Sequence, residues 1–232
     1  MTYLVRIVFP LLLVSLPGCA VMPQENRGAG ATLSYSCHIA GDYDLYMMGT
    51  SQSEKPPPNW KFGVGALGCY SIKGVNFDDG ATLSVAGDHR KLPKYLYFWW
   101  SKIPRGNGDH WTKAQNEEYE HNRWAPRYWG RVAIRSQVPQ SAVNEVIKSP
   151  PSKLGDGQNK LRLHIYLEWS KHGIRLTWAE YNDLKMIKYG GYVPPGPMAE
   201  IDKRWFAQNP QVVHVNSKVI PPEPYRFWPQ HQ

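Results

Sequence analysis

The sequence predicts a mainly β fold: an antiparallel β-sandwich or strongly curved sheet carrying two short helices. Three observations predict it. Seven segments show strand patterning against two with helical spacing. Twenty Gly and 20 Pro divide the 232 residues into short elements, which excludes a long coiled coil or a helical solenoid. The composition, 42% hydrophobic and 20% charged, is that of a globular chain able to bury a sizeable core.

The chain opens MTYLVRIVFPLLLVSLPGC, with Arg6 as the one charge before the apolar run Ile7 to Leu16. A run of about ten residues is half of the ~20 that a spanning helix needs. It has the n-region, h-region and small-residue cleavage site of a secretory signal. Leu16-Pro17-Gly18-Cys19 resembles a bacterial lipobox, which makes Cys19 the acylated first residue of the mature chain. The alternative is an ordinary cleaved signal in which Cys19 is incidental. Asp after the lipidated Cys usually retains Gram-negative lipoproteins at the inner membrane. Ala20 follows here, so the resemblance implies the outer membrane, with the body facing the periplasm. Residues 1–18 are thus read as signal peptide, 19–31 as lipidated Cys and flexible tether, and 32–232 as a single β-rich domain with an extended C-terminal segment.

Cys37 and Cys69 remain. In an oxidising compartment they are expected to pair, and closing a loop of about thirty residues stabilises by roughly 3–4 kcal/mol in the chain-entropy model. Two buried free thiols are the alternative. The mature chain carries 26 basic and 19 acidic residues, an excess of seven positive charges. That excess suits an anionic surface or an acidic protein. Nucleic acid is not an expected partner in that compartment.

Strand patterning falls at Thr32–Ile39, Trp60–Leu67, Thr82–Val85, Tyr95–Ser101, Tyr128–Ser136, Lys160–Ser170 and Ile174–Tyr181. The clearest case places Leu161, Leu163, Ile165, Leu167 and Trp169 on one face of a strand, with Arg162, His164, Tyr166 and Glu168 on the other. Ser170-Lys171-His172-Gly173 then supplies a Gly for positive φ, which predicts a hairpin into Ile174–Trp178. Helical spacing appears at Pro139–Lys148, stopped by Pro150-Pro151, and at Pro197–Gln208, ending before Asn209-Pro210. Residues 148–159, 189–197 and 219–232 read as loops or tail.

Enzyme signatures are sparse. G-x-S-x-G, S-x-x-K, H-E-x-x-H, C-x-x-C and the P-loop do not occur. Gly63-Val64-Gly65-Ala66-Leu67-Gly68 matches G-x-G-x-x-G, but strand-like Cys69-Tyr70-Ser71-Ile72 follows where the motif requires a helix N-terminus. His164 and Glu168 share a strand face yet lie roughly 13 Å apart at about 3.3 Å per residue, too far for one metal or one proton relay. The chain is therefore read as a non-enzyme with no cofactor and no metal.

One segment stands apart. From 110 to 131 the chain reads HWTKAQNEEYEHNRWAPRYWGR. Trp, Tyr and Arg dominate interface hot spots because they bury large area at low entropic cost. Trp111, Arg123, Trp124, Arg127, Tyr128, Trp129 and Arg131 are therefore the candidate partner-binding residues. The competing reading packs some of these rings into the core with their cations reaching outward.

Asn59-Trp60-Lys61-Phe62-Gly63, Leu92-Pro93-Lys94-Tyr95-Leu96-Tyr97-Phe98-Trp99-Trp100-Ser101, Val138-Pro139-Gln140 and the strand Gly173–Trp178, in this order behind a lipobox, resemble a domain-of-unknown-function family of Gram-negative outer-membrane lipoproteins. The resemblance covers roughly 59–180 and rests on packing positions. It implies a binding rather than a catalytic role, since some members look like immunity lipoproteins encoded beside type VI secretion phospholipase effectors. The expected function is that of an immunity protein neutralising such a lipase effector. A structural envelope lipoprotein that binds lipopolysaccharide or peptidoglycan is the alternative, and an envelope hydrolase would need a Ser/His or acid–base pair converging in a cleft.

Overall fold

In order along the chain the strands are β1 (Leu33–Ile39), β2 (Tyr43–Ser53), β3 (Tyr70–Ser71), β4 (Ala81–Ser84), β5 (Tyr95–Pro104), β6 (Tyr128–Ala133), β7 (Leu161–Ser170), β8 (Gly173–Asn182), β9 (Lys185–Gly191), β10 (Val213–Val215) and β11 (Arg226–Phe227). Helices α1 (Lys113–Asn122) and α2 (Gln140–Lys148) lie between β5 and β7. This computed structural model describes residues 28–29, 32–39, 43–53, 70–71, 81–84, 91–106, 108–122, 126–191, 204–215 and 220–227. Cys19, Cys69, Arg123 and Trp124, the expected signal, most of the expected tether, the strand expected at Trp60–Leu67 and the first part of the helix expected from Pro197 lie outside the described residues; of the tether, Ala29 is buried in the core.

The strands form two sheets that do not close into a barrel. The larger has the order β10-β9-β8-β7-β1-β3, with β4 also on β1. The smaller, β11-β6-β5-β2, is antiparallel throughout. The β7–β8 hairpin forms as its alternation predicts, with Ser170 paired to Gly173 and Gly173 at φ 126°. Most strand pairs are antiparallel, as expected, but the larger sheet is mixed: β1 runs parallel to β7 from Leu33↔Leu163 to Ile39↔Trp169 and to β3, and β10 runs parallel to β9. Period-two patterning reports a half-buried strand but carries no information on its direction.

The two sheets face each other across one core. Leu96, Phe98 and Trp100 of β5 meet Leu163, Ile165, Leu167 and Trp169 of β7 and Ile174, Leu176 and Trp178 of β8. Trp169 takes edge-to-face contacts with Phe98 at 4.8 Å and with Trp100 at 5.8 Å between centroids. α2 closes one end of this core with Ala142, Val143 and Val146, the apolar stripe its spacing predicts. A second cluster sits on the other face of the larger sheet, where Tyr166, Ala179, Met186 and Tyr189 pack against Trp205 and Phe206 of the helical segment 204–208. Cys37, fully buried, is disulfide-bonded. Tyr70, the residue after Cys69, is paired with His38, the residue after Cys37.

Several elements depart from the reading of the sequence. α1 is a further helix within the 110–131 segment and has no buried residue, so no apolar stripe announces it. The expected strand to Ser136 stops at Ala133, and Ile134 instead accepts backbone hydrogen bonds from Gln137 and Val138. Residues 189–191, expected as loop, belong to β9. Gly190 is required there because a Cβ would lie 2.4–2.6 Å from the Trp178 indole. The expected C-terminal tail contributes β11 to the edge of the smaller sheet.

Candidate functional site

The site is built at the open end of the smaller sheet. On β5 the inward row Leu96, Phe98, Trp100 continues to Lys102, beyond the point where the core closes. There the Lys102 ammonium lies 4.5 Å from the centroid of Tyr43 and 5.0 Å from that of Tyr128. Two ring faces hold the charge in one place without neutralising it. Tyr128 is half-buried against Trp100, stacked at 6.2 Å, and its other side meets Phe227 of β11 at 5.7 Å. Phe227 is 81% exposed.

α1 supplies the opposite wall. Its N-terminus is a capping box: the Gln115 amide donates to the Thr112 hydroxyl at 3.3 Å, and the Thr112 amide donates to Gln115 Oε1 at 2.9 Å. Its C-terminus is fastened to β5 by Asn122, whose Nδ2 donates to the Lys102 carbonyl at 3.1 Å. This aims Glu118, His121 and Asn122 at the strand end. Arg127 enters β6 with its amide donating to the Trp100 carbonyl at 2.9 Å, and its guanidinium donates to His121 Nε2. Together Lys102, Glu118, His121, Asn122, Pro126, Arg127, Tyr128 and Phe227 line a cleft of about 530 Å³.

The C-terminal segment holds the cleft's outer wall. Tyr225 packs edge-on against Trp100 at 5.0 Å and donates to the Gly173 carbonyl at 3.3 Å. Burial pushes the Tyr225 hydroxyl far above its ordinary value, with Tyr43 adding to the shift, so it stays protonated. Glu223 accepts two hydrogen bonds from Arg131 Nε, at 2.9 and 2.8 Å, and lies 3.6 Å from Arg226. The chain passes so close to the β7–β8 turn that a Cβ on Gly173 would stand 2.1 Å from the Glu223 carbonyl oxygen.

The residues expected to form one partner-binding face divide. Arg127 and Tyr128 line the cleft. Trp129 and Arg131 lie on the other side of β6, because successive strand residues point to opposite faces. There the Arg226 guanidinium covers Trp129 at 4.6 Å, and Arg131 covers Tyr95 at 4.4 Å. Trp111 lies ahead of α1, packed on Tyr119 at 5.0 Å, with its indole N–H donating to the Arg105 carbonyl at 3.2 Å. All five described members of the set are partly exposed, and of them Tyr128 also packs against the core. Lys102, His121, Asn122 and Phe227 were not anticipated. The Thr112-x-x-Gln115 box was the available signal for the wall that carries two of them.

A second polar constellation lies on the outer face of the larger sheet. Ser34 Oγ is 2.7 Å from His164 Nδ1, and Ser36 Oγ is 2.6 Å from Nε2. The imidazole stacks on Tyr166 at 4.5 Å, and the Tyr166 and Tyr181 hydroxyls share a hydrogen bond. The parallel register, Ser34↔His164 and Ser36↔Tyr166, produces this grouping directly. Ser36 is 3% exposed, and the trio is no part of the cleft at the end of the smaller sheet. Its geometry binds β1 to β7 across the sheet.

Among the described residues no group of three or more His, Cys, Asp or Glu could hold a metal ion, and no helix is long and apolar enough to cross a membrane. In comparisons with known proteins, no family model, curated protein or solved structure matches this chain.

Proposed function

We propose that this chain is a lipid-anchored, periplasm-facing binding protein that captures a protein partner at the end of the smaller sheet, and that in its specific form it is an immunity protein occluding a type VI secretion lipase effector. The supporting observation is the cleft: a partly exposed pocket of cations and rings, walled by Phe227 and floored by Tyr128. A large exposed aromatic beside fixed cations is the composition of an interface anchor rather than of a solvated surface. The effector version and the outer-membrane address rest on the lipobox at Leu16–Cys19 and on the family resemblance.

Capture of the lipase-like protein encoded by a neighbouring gene tests this. The full chain should retain that protein on a resin, and Phe227→Ala, at an 81% exposed side chain, should weaken retention at least tenfold while leaving the unfolding midpoint within the range of other surface variants. Unchanged retention would remove the cleft from the proposal. Sedimentation with purified envelope fractions in the absence of any effector would favour the structural envelope reading instead.

A further inference from the structure

Several cations of the described structure have carboxylate partners, while Lys171 and Lys185 stand on the open surface without one among the described residues. Arg131 and Arg226 share Glu223, Arg162 has Asp156, Arg175 has Glu168, Lys113 has Glu117, and Lys188 has both Glu145 and Glu180. The two cleft cations lack one although both are partly buried in a concave site. Lys102 meets only ring faces, and Arg127 meets only the His121 ring; neither has a carboxylate within 4 Å among the described residues. Glu118 lines the same cleft without reaching either of them.

We infer that the cleft is a carboxylate receptor: an Asp or Glu side chain on a surface loop of the captured protein enters between Lys102 and Arg127, and an adjacent apolar side chain lies on Tyr128 and Phe227. This rests on the capture reading above and names the chemistry that the partner presents. Lys102 offers a point charge whose position is set by two rings. Arg127 offers the guanidinium donors left after one is given to His121, in a fork suited to two oxygens. A cleft of about 530 Å³ exceeds what a lone carboxylate fills, and its remaining wall is aromatic. An acidic residue beside a leucine-sized neighbour satisfies both parts.

The test uses the full chain in detergent and two probes, the acetylated dipeptide amides of Glu-Leu and Gln-Leu, followed by ligand-observed NMR. The glutamyl probe should bind saturably, with Kd on the order of 1 mM, and at least tenfold more tightly than the glutaminyl probe. Arg127→Gln should reduce that preference severalfold, and Lys102→Gln with Arg127→Gln should abolish it. Equal binding of the two probes, lack of saturable glutamyl binding up to about 20 mM, or a preference that survives the double variant would each overturn the inference. Binding to phosphatidylglycerol vesicles that requires both cations, without any glutamyl preference, would overturn the inference in favour of a headgroup site. Failure here with Phe227-dependent protein capture intact would leave the capture reading standing. A glutamyl preference without any captured protein would do the reverse.

Discussion

Arg131 and Glu223 are joined through a single guanidinium nitrogen that donates to both carboxylate oxygens, at 2.9 and 2.8 Å, across 92 residues of chain. This contact fastens the C-terminal segment to β6 and sets where Phe227 stands. Glu223 also holds the Arg131 guanidinium more firmly in its charged form.

Glu223→Gln should therefore loosen the cleft wall before it unfolds the protein. Both side chains are about one-third exposed, so solvent screening leaves a stability cost of about 1 kcal/mol. The urea midpoint should fall with an unchanged m-value, and partner capture should weaken by more than that stability loss explains. Equal loss in the two measurements would show that Glu223 acts on the fold alone.

Glu180 is fully buried at the inner face of β8, where Lys188 reaches it at 3.3 Å and also bonds Glu145 of α2. Burial pushes the Glu180 carboxyl above its ordinary 4.5, Lys188 draws it back, and Glu145 adds to the rise. The folded state thus holds this proton more tightly than the unfolded chain does. The contribution to stability is full below the ordinary carboxylate range and is lost as pH rises through the raised value. Lys188→Ala removes the counter-charge and should cost about 3 kcal/mol at neutral pH. It should also widen the stability gap between pH 8 and pH 5, measured by denaturant melts at both. A parallel offset at the two pH values would contradict the coupling.

Gly190→Ala should be among the most damaging single substitutions. The new methyl would meet Trp178, which is fixed in the core opposite it on β8. An overpacked, immobile site costs about 3 kcal/mol or more, read as a thermal midpoint lowered by several degrees. Gly155→Ala provides the control, because a Cβ there has open space and only its φ of 72° opposes the change.

Ser36→Ala removes one of the two hydroxyls that hold His164. The expected loss is about 1–2 kcal/mol of stability from the β1–β7 junction. A fluorophosphonate probe followed by intact mass measurement gives the opposing outcome. Covalent labelling confined to Ser36 would make the trio a nucleophile–base pair and return the chain to the hydrolases.

Legibility from sequence followed the strength of the local signal. β7 and β8 were readable because ten-residue alternation and a Gly turn agree, and α2 because proline brackets an apolar stripe. β2 reads YDLYMMGTSQS with no alternation, and its form comes from pairing with β5, including the register shift between Met47 and Gly49. α1 is polar all round and is held by its cap and by Asn122, so periodicity could not report it. The cleft draws on residues 102, 118–122, 126–128 and 227, of which only the middle stretch is contiguous. Composition could mark that stretch. Only the sheet's alternation decides which of its members enter the cleft.

The parallel register between β1 and β7 has a temporal consequence. Ser34 must wait for His164, 130 residues further along, before the centre of the larger sheet can assemble. β4 can pair with β1 over Ser34–Cys37 well before then, but the other edge of β1 stays open throughout that interval, and slow non-local pairing of this kind is where unfinished chains associate wrongly. Closure of that edge by β7 is thus a late event in the making of the sheet.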